Sequence, residues 1–140
     1  MTRTAPVIEA IQEGFRTSHC YVLSREVFEH FVAAFQDTNP LHMDDQFARS
    51  RGFPRLVTHG AILNGFISHF VGVHFPGNAP LEHSVSIQYK SPCHIGDRIS
   101  IEATVTQVSQ AVGVVTLDLL LTNLTRNCVA AKARVQVGVG

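Results

Sequence analysis

Asp37-Thr38-Asn39-Pro40-Leu41-His42 puts a carboxyl group and an imidazole five residues apart, with a proline between them. Asn39 precedes Pro40 and is pushed towards extended backbone, so a helix entering from the N-terminal side should stop here. Residues five apart do not share a helix face, but a kinked turn lets two side chains converge on one small volume. An acid and an imidazole converging in a partly dry pocket can handle two proton transfers around one substrate. The alternative is a helix-ending turn in which Asp37 or Asn39 bonds local backbone and His42 is wetted at the surface. On the hexapeptide alone that alternative is the better one. The neighbouring sequence shifts the balance.

Residues 15–23 read as a strand. Ser24 is a plausible helix N-cap, with Glu26 in the first turn, where a negative charge suits the helix dipole. Val27, Phe28, Phe31, Val32 and Phe35 recur at three- and four-residue spacing, which predicts an amphipathic helix that delivers Asp37 at its end. Asp44–Ser50 can form one more short helix before the glycine and proline of Arg51-Gly52-Phe53-Pro54. Residues 59–75 contain no Asp or Glu, and Ala61, Ile62, Leu63, Phe66, Ile67, Phe70, Val71 and Val73 leave almost no polar face. Such a helix is expected to be buried on most sides and to end near Pro76-Gly77. Gly60, Gly65 and Gly72 within it permit close approach of backbone or ligand.

Four alternating strands follow, carried by Val85-Ile87-Tyr89, Ile99-Ile101-Ala103-Val105, Val115-Leu117-Leu119-Leu121 and Val129-Ala131-Ala133-Val135-Val137. Short turns at Gln110–Gly113 and Thr125–Asn127 make them antiparallel hairpins. An apolar helix plus such a meander predicts an α+β arrangement in which the sheet curls around the helix, with the N-terminal strand joining the same sheet.

At 140 residues the chain fits a single domain, 1–140, and its 45% hydrophobic content is ordinary for a globular protein. Eleven basic and eleven acidic residues cancel, so no global field points to nucleic acid or membrane. The three cysteines, Cys20, Cys93 and Cys128, form neither a disulfide framework nor a zinc pattern, and fit a reducing compartment. No apolar run reaches membrane-spanning length, and the N-terminus lacks a signal-peptide core. Glu9 and Glu13 beside Arg3 argue against an intact transit peptide. The expected location is the cytoplasm, or the mitochondrial matrix for a trimmed chain.

The elements Asp37-x-Asn39-Pro40-Leu41-His42-x-Asp44, Thr58-His59-Gly60 at the start of the apolar helix, and Tyr89-Lys90-Ser91-Pro92 followed by Gly96-Asp97 resemble a known family. It is that of the MaoC-like, (R)-specific enoyl-thioester hydratases and dehydratases with the hot-dog fold. The resemblance runs from about Ser24 to Val137, with two departures. Gln36 stands where many members have glycine or another small or acidic residue, and Cys93-His94 replaces a more apolar pair.

The resemblance implies that Asp37 and His42 form the catalytic pair, that Asn39 helps hold them and the water, and that the Gly60 N–H meets the thioester oxygen. It implies no cofactor, an acyl-CoA or acyl carrier protein thioester as substrate, and a homodimer that pairs two sheets. The chemistry has the same needs. Hydration of a 2-enoyl thioester passes through an enolate-like state, requiring a base for water, an acid for carbon and a donor for the oxyanion. A free N–H near a helix N-terminus is such a donor, and glycine there admits substrate to the backbone.

Other residues are weaker candidates. The six histidines His19, His30, His69, His74, His83 and His94 show no metal-ligand spacing, and His42 with Asp44 and Asp45 fits a wet turn better than a cation site. His59 reads as a packed, hydrogen-bonded partner on the substrate side rather than a catalyst, and Asn64 as a satisfied core amide. Arg49, Arg51 and Arg55 are either a solvated loop or a phosphate-binding contact for coenzyme A or a phosphopantetheine carrier, and Lys90 is a lesser candidate for that role. Two rival functions stand beside the hydratase. A hot-dog thioesterase is disfavoured by the absence of an acid between His59 and Phe75. A non-catalytic acyl-thioester binding subunit has no need of both Asp37 and His42.

Overall fold

Ser24 starts the first helix as expected: its Oγ accepts from the Val27 N–H at 3.1 Å. In the computed structural model, which describes residues 8–140, that helix (α1) spans Arg25–Phe35. It buries Phe28 and half-buries Val27, Phe31 and Val32, as the spacing predicts, but Phe35, the last of the expected stripe, is 70% exposed because the helix ends there beyond the edge of the core. It stops at Gln36, which has φ of 54° and donates its N–H to the Val32 carbonyl at 2.7 Å. Left-handed backbone favours glycine at a helix C-terminus, so the resemblance's frequent glycine has a physical reason and Gln36 departs from it at a cost.

Past the helix end, the proline turn is built from two further short helices. Asn39 caps α2 (Pro40–Met43), its Oδ1 accepting from the Leu41 N–H at 3.0 Å, and Pro40 takes the first helical position. Asp44 caps α3 (Asp45–Ser50), bonding the N–H groups of Gln46 at 2.8 Å and Phe47 at 3.3 Å. The chain then returns towards the sheet, pinned three times. Asp45 Oδ1 accepts from the Leu56 N–H at 2.9 Å, the Leu41 carbonyl from the Val57 N–H at 3.0 Å, and the Cys93 carbonyl from the Thr58 N–H at 2.9 Å.

The apolar helix α4 spans Ala61–His69 and widens into a π-helical turn over Phe70–His74. Ile62, Leu63, Phe66, Ile67, Phe70 and Val71 are buried. The expectation of burial on most sides is corrected here: Ala61, Asn64, Gly65, Ser68, His69, Gly72 and Val73 form an exposed strip along the same helix. Apolar composition could not show this, because Gly65, Gly72 and Val73 read as core in a one-dimensional pattern.

Five strands form one antiparallel sheet in the order β1-β3-β4-β5-β2, with β1 at Arg16–Val22, β2 at Leu81–Tyr89, β3 at Arg98–Ser109, β4 at Val114–Asn123 and β5 at Cys128–Gly138. Ile99, Ile101, Ala103 and Val105 point inward, as do Val115, Leu117, Leu119 and Leu121, and they join the α4 side chains in one core. On β5 the alternation slips. Leu121 pairs with Ala131 but Thr122 with Val129, so Ala130 is bulged and buried where Val129 was expected. The result is the expected α+β hot-dog arrangement, a sheet packed around one apolar helix. β1 and β2 are its edges.

Candidate active site

Three side chains from three separate elements meet at the start of α4. Asp37 lies two residues beyond α1, His42 sits on α2, and His59 ends the returning loop; their donor atoms all fall within 4.8 Å of one another. His42 Nδ1 lies 2.6 Å from the Val57 carbonyl. A carbonyl only accepts, so Nδ1 carries the proton, and Nε2 keeps a lone pair for other work in the neutral ring. His59 is 3% exposed. Its Nε2–H donates to the Asp37 carbonyl at 2.8 Å and stands 4.0 Å from Asp37 Oδ2. Its ring packs on His42, with centroids 4.0 Å apart, and on Phe31 at 4.7 Å.

Asp37 itself is half exposed, and among the described residues the one hydrogen bond to its carboxylate is the Asn39 N–H on Oδ1 at 3.3 Å. The expected dry pocket therefore holds for the imidazoles more than for the acid. Asn39 acts through its backbone and its cap on α2: its Oδ1 bonds Leu41 rather than either neighbouring side chain. It orients both partners.

A cavity of about 580 Å³ opens beside this group, lined by His42, Val57, Thr58, His59, Gly60, Ala61 and Leu63 on one side and by Tyr89–Cys93 on the other. Gly60 is the residue before α4, and none of the backbone bonds found among the described residues engages its N–H. A Cβ at this position would sit 3.0 Å from the Tyr89 ring, so the expected close approach is made by Tyr89. Tyr89 donates its hydroxyl to Asn64 Oδ1 at 3.0 Å. Burial pushes its phenol upward and the Asn64 bond pulls it partly back. It stays a neutral hydroxyl across the physiological range. Asn64 is thus exposed and bonded across to β2, which corrects its reading as a core amide.

The cationic candidates do not gather as one group. Lys90 lines the cavity. Arg49 donates to the Pro54 carbonyl at 3.2 Å, and Arg51 lies 4.7 Å over the Phe47 ring, so both are engaged in their own loop. Arg55 is exposed and close enough to His94 to help keep that imidazole neutral.

Tyr89 was visible in the sequence through the alternation of Val85, Ile87 and Tyr89 and through the Tyr89-Lys90-Ser91-Pro92 element, but neither gave its bond to Asn64. His59 gave no local signal of its bond to Asp37, 22 residues away. A second groove of about 580 Å³ runs between α1 and α4, walled by Val27, Phe31, Phe35, Ala61, Ile62, Asn64, Gly65 and Phe66. It shares Ala61 with the first cavity.

A family model described as "MaoC like domain" matches residues 7–123. The chain belongs to the MaoC-like family. Among relatives, it is 33% identical over 98 residues to an (R)-specific enoyl-CoA hydratase of Rhodospirillum rubrum, covering 70% of this chain and 68% of that one. It is 33% identical over 87 residues to the (R)-specific enoyl-CoA hydratase of Aeromonas caviae, covering 62% and 65%. It is 35% identical over 78 residues to a mitochondrial 3-hydroxyacyl-[acyl-carrier-protein] dehydratase of Arabidopsis thaliana, covering 56% and 46%. The solved structure of the (R)-hydratase from A. caviae shares the MaoC-like fold with a TM-score of 0.86 at 24% identity, over 94% of this chain and 99% of that chain.

Proposed function

We propose that this MaoC-like chain is a hydro-lyase that adds water to trans-2-enoyl thioesters to give (3R)-hydroxyacyl thioesters, or runs the reverse dehydration. The observation that carries the reading is that His42 and Gly60, whose N–H is free, line one cavity while the Asp37 carboxylate stands within 4.8 Å of the imidazole nitrogens beside it. Asp37 and His42 share the proton work: one removes a proton from water as hydroxide adds to C3, and the other delivers a proton to C2. Negative charge develops on the thioester oxygen meanwhile, where the Gly60 N–H at the helix start stabilises it. His42 is prepared for this, because the Val57 carbonyl fixes its tautomer and leaves Nε2 for water or substrate. The relatives named as enoyl-CoA hydratase and as acyl-carrier-protein dehydratase support a thioester substrate and the (3R) configuration.

Crotonyl- and longer enoyl-thioesters on both carriers, followed by loss of the conjugated enoyl absorbance and chiral analysis of product, test the proposal. The expected product is the (3R) form. No turnover on either carrier, or a (3S) product, would overturn it.

In this reading Lys90 and Arg55 steer the carrier's phosphates, while Arg49 and Arg51 shape the loop beside them. Replacing Lys90 and Arg55 by alanine should then raise KM and leave kcat nearly unchanged. The working form is a homodimer. In support, β2 is a free sheet edge, and Val73 on the open strip of α4 is 70% exposed. Light scattering showing only monomer at micromolar concentration would count against it. Three free cysteines agree with a reducing compartment, the cytoplasm first and the mitochondrial matrix second.

A further inference from the structure

We propose that His59 is a positioning residue, a buried post that sets where Asp37 and His42 stand relative to one another. The role rests on the proton-transfer reading above, and it gives His59 no proton of its own to exchange with substrate.

The post is fixed before it touches either group. The His59 ring is 3% exposed and packs against two side chains of α1, Phe31 and Phe28, with centroids 4.7 and 5.7 Å away. Its backbone is held as firmly. Thr58 donates both its N–H and its Oγ1–H to the Cys93 carbonyl, at 2.9 and 3.0 Å. The His59 carbonyl accepts the Ile62 N–H at 3.1 Å as α4 begins.

The ring then works in two directions. It packs on His42 with centroids 4.0 Å apart, and its Nε2–H is donated to the Asp37 carbonyl at 2.8 Å. Its Nδ1 is buried with no hydrogen-bond partner among the described residues, so the bond to Asp37 is the ring's one polar tether. Asp37 needs it. The acid follows the left-handed Gln36, is half exposed, and its carboxylate is bonded only within its own turn, to the Asn39 N–H. Among the described residues the His59 bond is the only hydrogen bond that joins Asp37 to a distant part of the chain. Proton-transfer groups have to be held to a fraction of an ångström, and a displacement of about 1 Å can cost about a hundredfold in rate. Phenylalanine offers a ring without the donor and glutamine a donor without the ring; histidine supplies both.

Those two substitutions make the test. kcat and KM would be measured on crotonyl-coenzyme A for His59→Phe and His59→Gln, alone and combined with Asp37→Asn, with thermal midpoints establishing that each variant is folded. His59→Phe should lower kcat about a hundredfold and leave KM within about threefold. His59→Gln, whose Nε2–H can still reach the Asp37 carbonyl, should stay within about tenfold of wild type. Asp37→Asn keeps the tethered carbonyl but has no acid left to aim, so adding His59→Phe to it should cost less than about threefold. A residue that only supports the fold would cost the same in both backgrounds.

Two readouts need no substrate. Amide hydrogen exchange at residues 37–39 should quicken in His59→Phe and not in His59→Gln. In the wild-type chain, NMR of the imidazole nitrogens should find the His59 proton on Nε2. Wild-type kcat in folded His59→Phe, equal losses in the two backgrounds, no recovery by glutamine, or a proton on Nδ1 would each overturn the proposal. Quicker exchange at residues 37–39 in His59→Phe, in a chain that hydrates no enoyl thioester, would keep the tether and remove the catalytic reading instead.

Discussion

Asp97 and Asp37 each have a histidine close by in sequence, His94 three residues before one and His42 five residues after the other. Their environments are opposite. Asp97 is 1% exposed, and its Oδ2 accepts from the His94 N–H at 2.9 Å, Asn123 Nδ2–H at 2.7 Å and Arg126 Nε–H at 3.1 Å. That carboxylate ties the turn before β3 to the end of β4. Asp37 is half exposed with one long backbone bond. A buried carboxylate with one oxygen held by three donors is sealed from substrate and fixed in place, whereas an under-bonded, half-exposed one beside an imidazole keeps its capacity to take and return a proton. His94 and His42 differ likewise. Both rings donate Nδ1–H to a loop carbonyl, of Leu56 and Val57 respectively, but His94 is sealed in and His42 lines the cavity.

Substitutions can break this contrast on either side. The largest effect should follow Asp37→Asn, which keeps the shape of the acid and removes its proton exchange. Turnover should fall about a hundred- to ten-thousand-fold, with KM and thermal midpoint close to wild type. Steady-state kinetics and a melting curve check it together. Asp97→Ala should do the reverse. It strips three donors of their acceptor and should cost about 3 kcal/mol of stability, read by urea unfolding, while turnover per folded molecule stays nearly intact.

A smaller effect concerns pH. Burial, foremost, holds the His94 imidazole below its ordinary value of 6.5, with the positive charges of Arg126 and Arg55 adding to it. The folded protein therefore binds this proton less readily than the unfolded chain. Its contribution is intact above about pH 6.5 and is lost as pH falls from there towards the lowered folded value. The thermal midpoint should drop on acidification through that window, and the drop should be shallower in His94→Gln. The smallest effect should be Gln36→Gly. It relieves the left-handed φ of 54° and should raise stability by up to about 1 kcal/mol without changing turnover.

The parts of the structure governed by short-range rules were legible in the sequence. The Ser24 cap, the Val27–Val32 stripe, the stop before Pro40 and the inward residues of β3 and β4 all follow from local periods and backbone chemistry. The family motif likewise singled out Asp37, Asn39, His42 and Gly60. What did not show were contacts set by how the loop at 52–59 returns to the sheet. The His59 bond to the Asp37 carbonyl and the Tyr89–Asn64 bond join elements 22 and 25 residues apart, with no pattern to announce them. The open strip of α4 was hidden for another reason: apolar residues and glycines look the same whether they face a core or await a partner. Asp97 read as a turn residue because its hub needs Asn123 at the end of β4 and Arg126 in the turn that follows.

The central claim is that Asp37 and His42 act as one proton-transfer unit, and a double-mutant cycle tests it most directly. kcat would be measured for Asp37→Asn, His42→Ala and the combined variant on one enoyl thioester, each shown to be folded by its thermal midpoint. Groups acting as a unit lose their joint effect once, so the combined variant should be scarcely slower than the slower single one. Losses that multiply, or near-wild-type turnover in folded Asp37→Asn, would contradict the account.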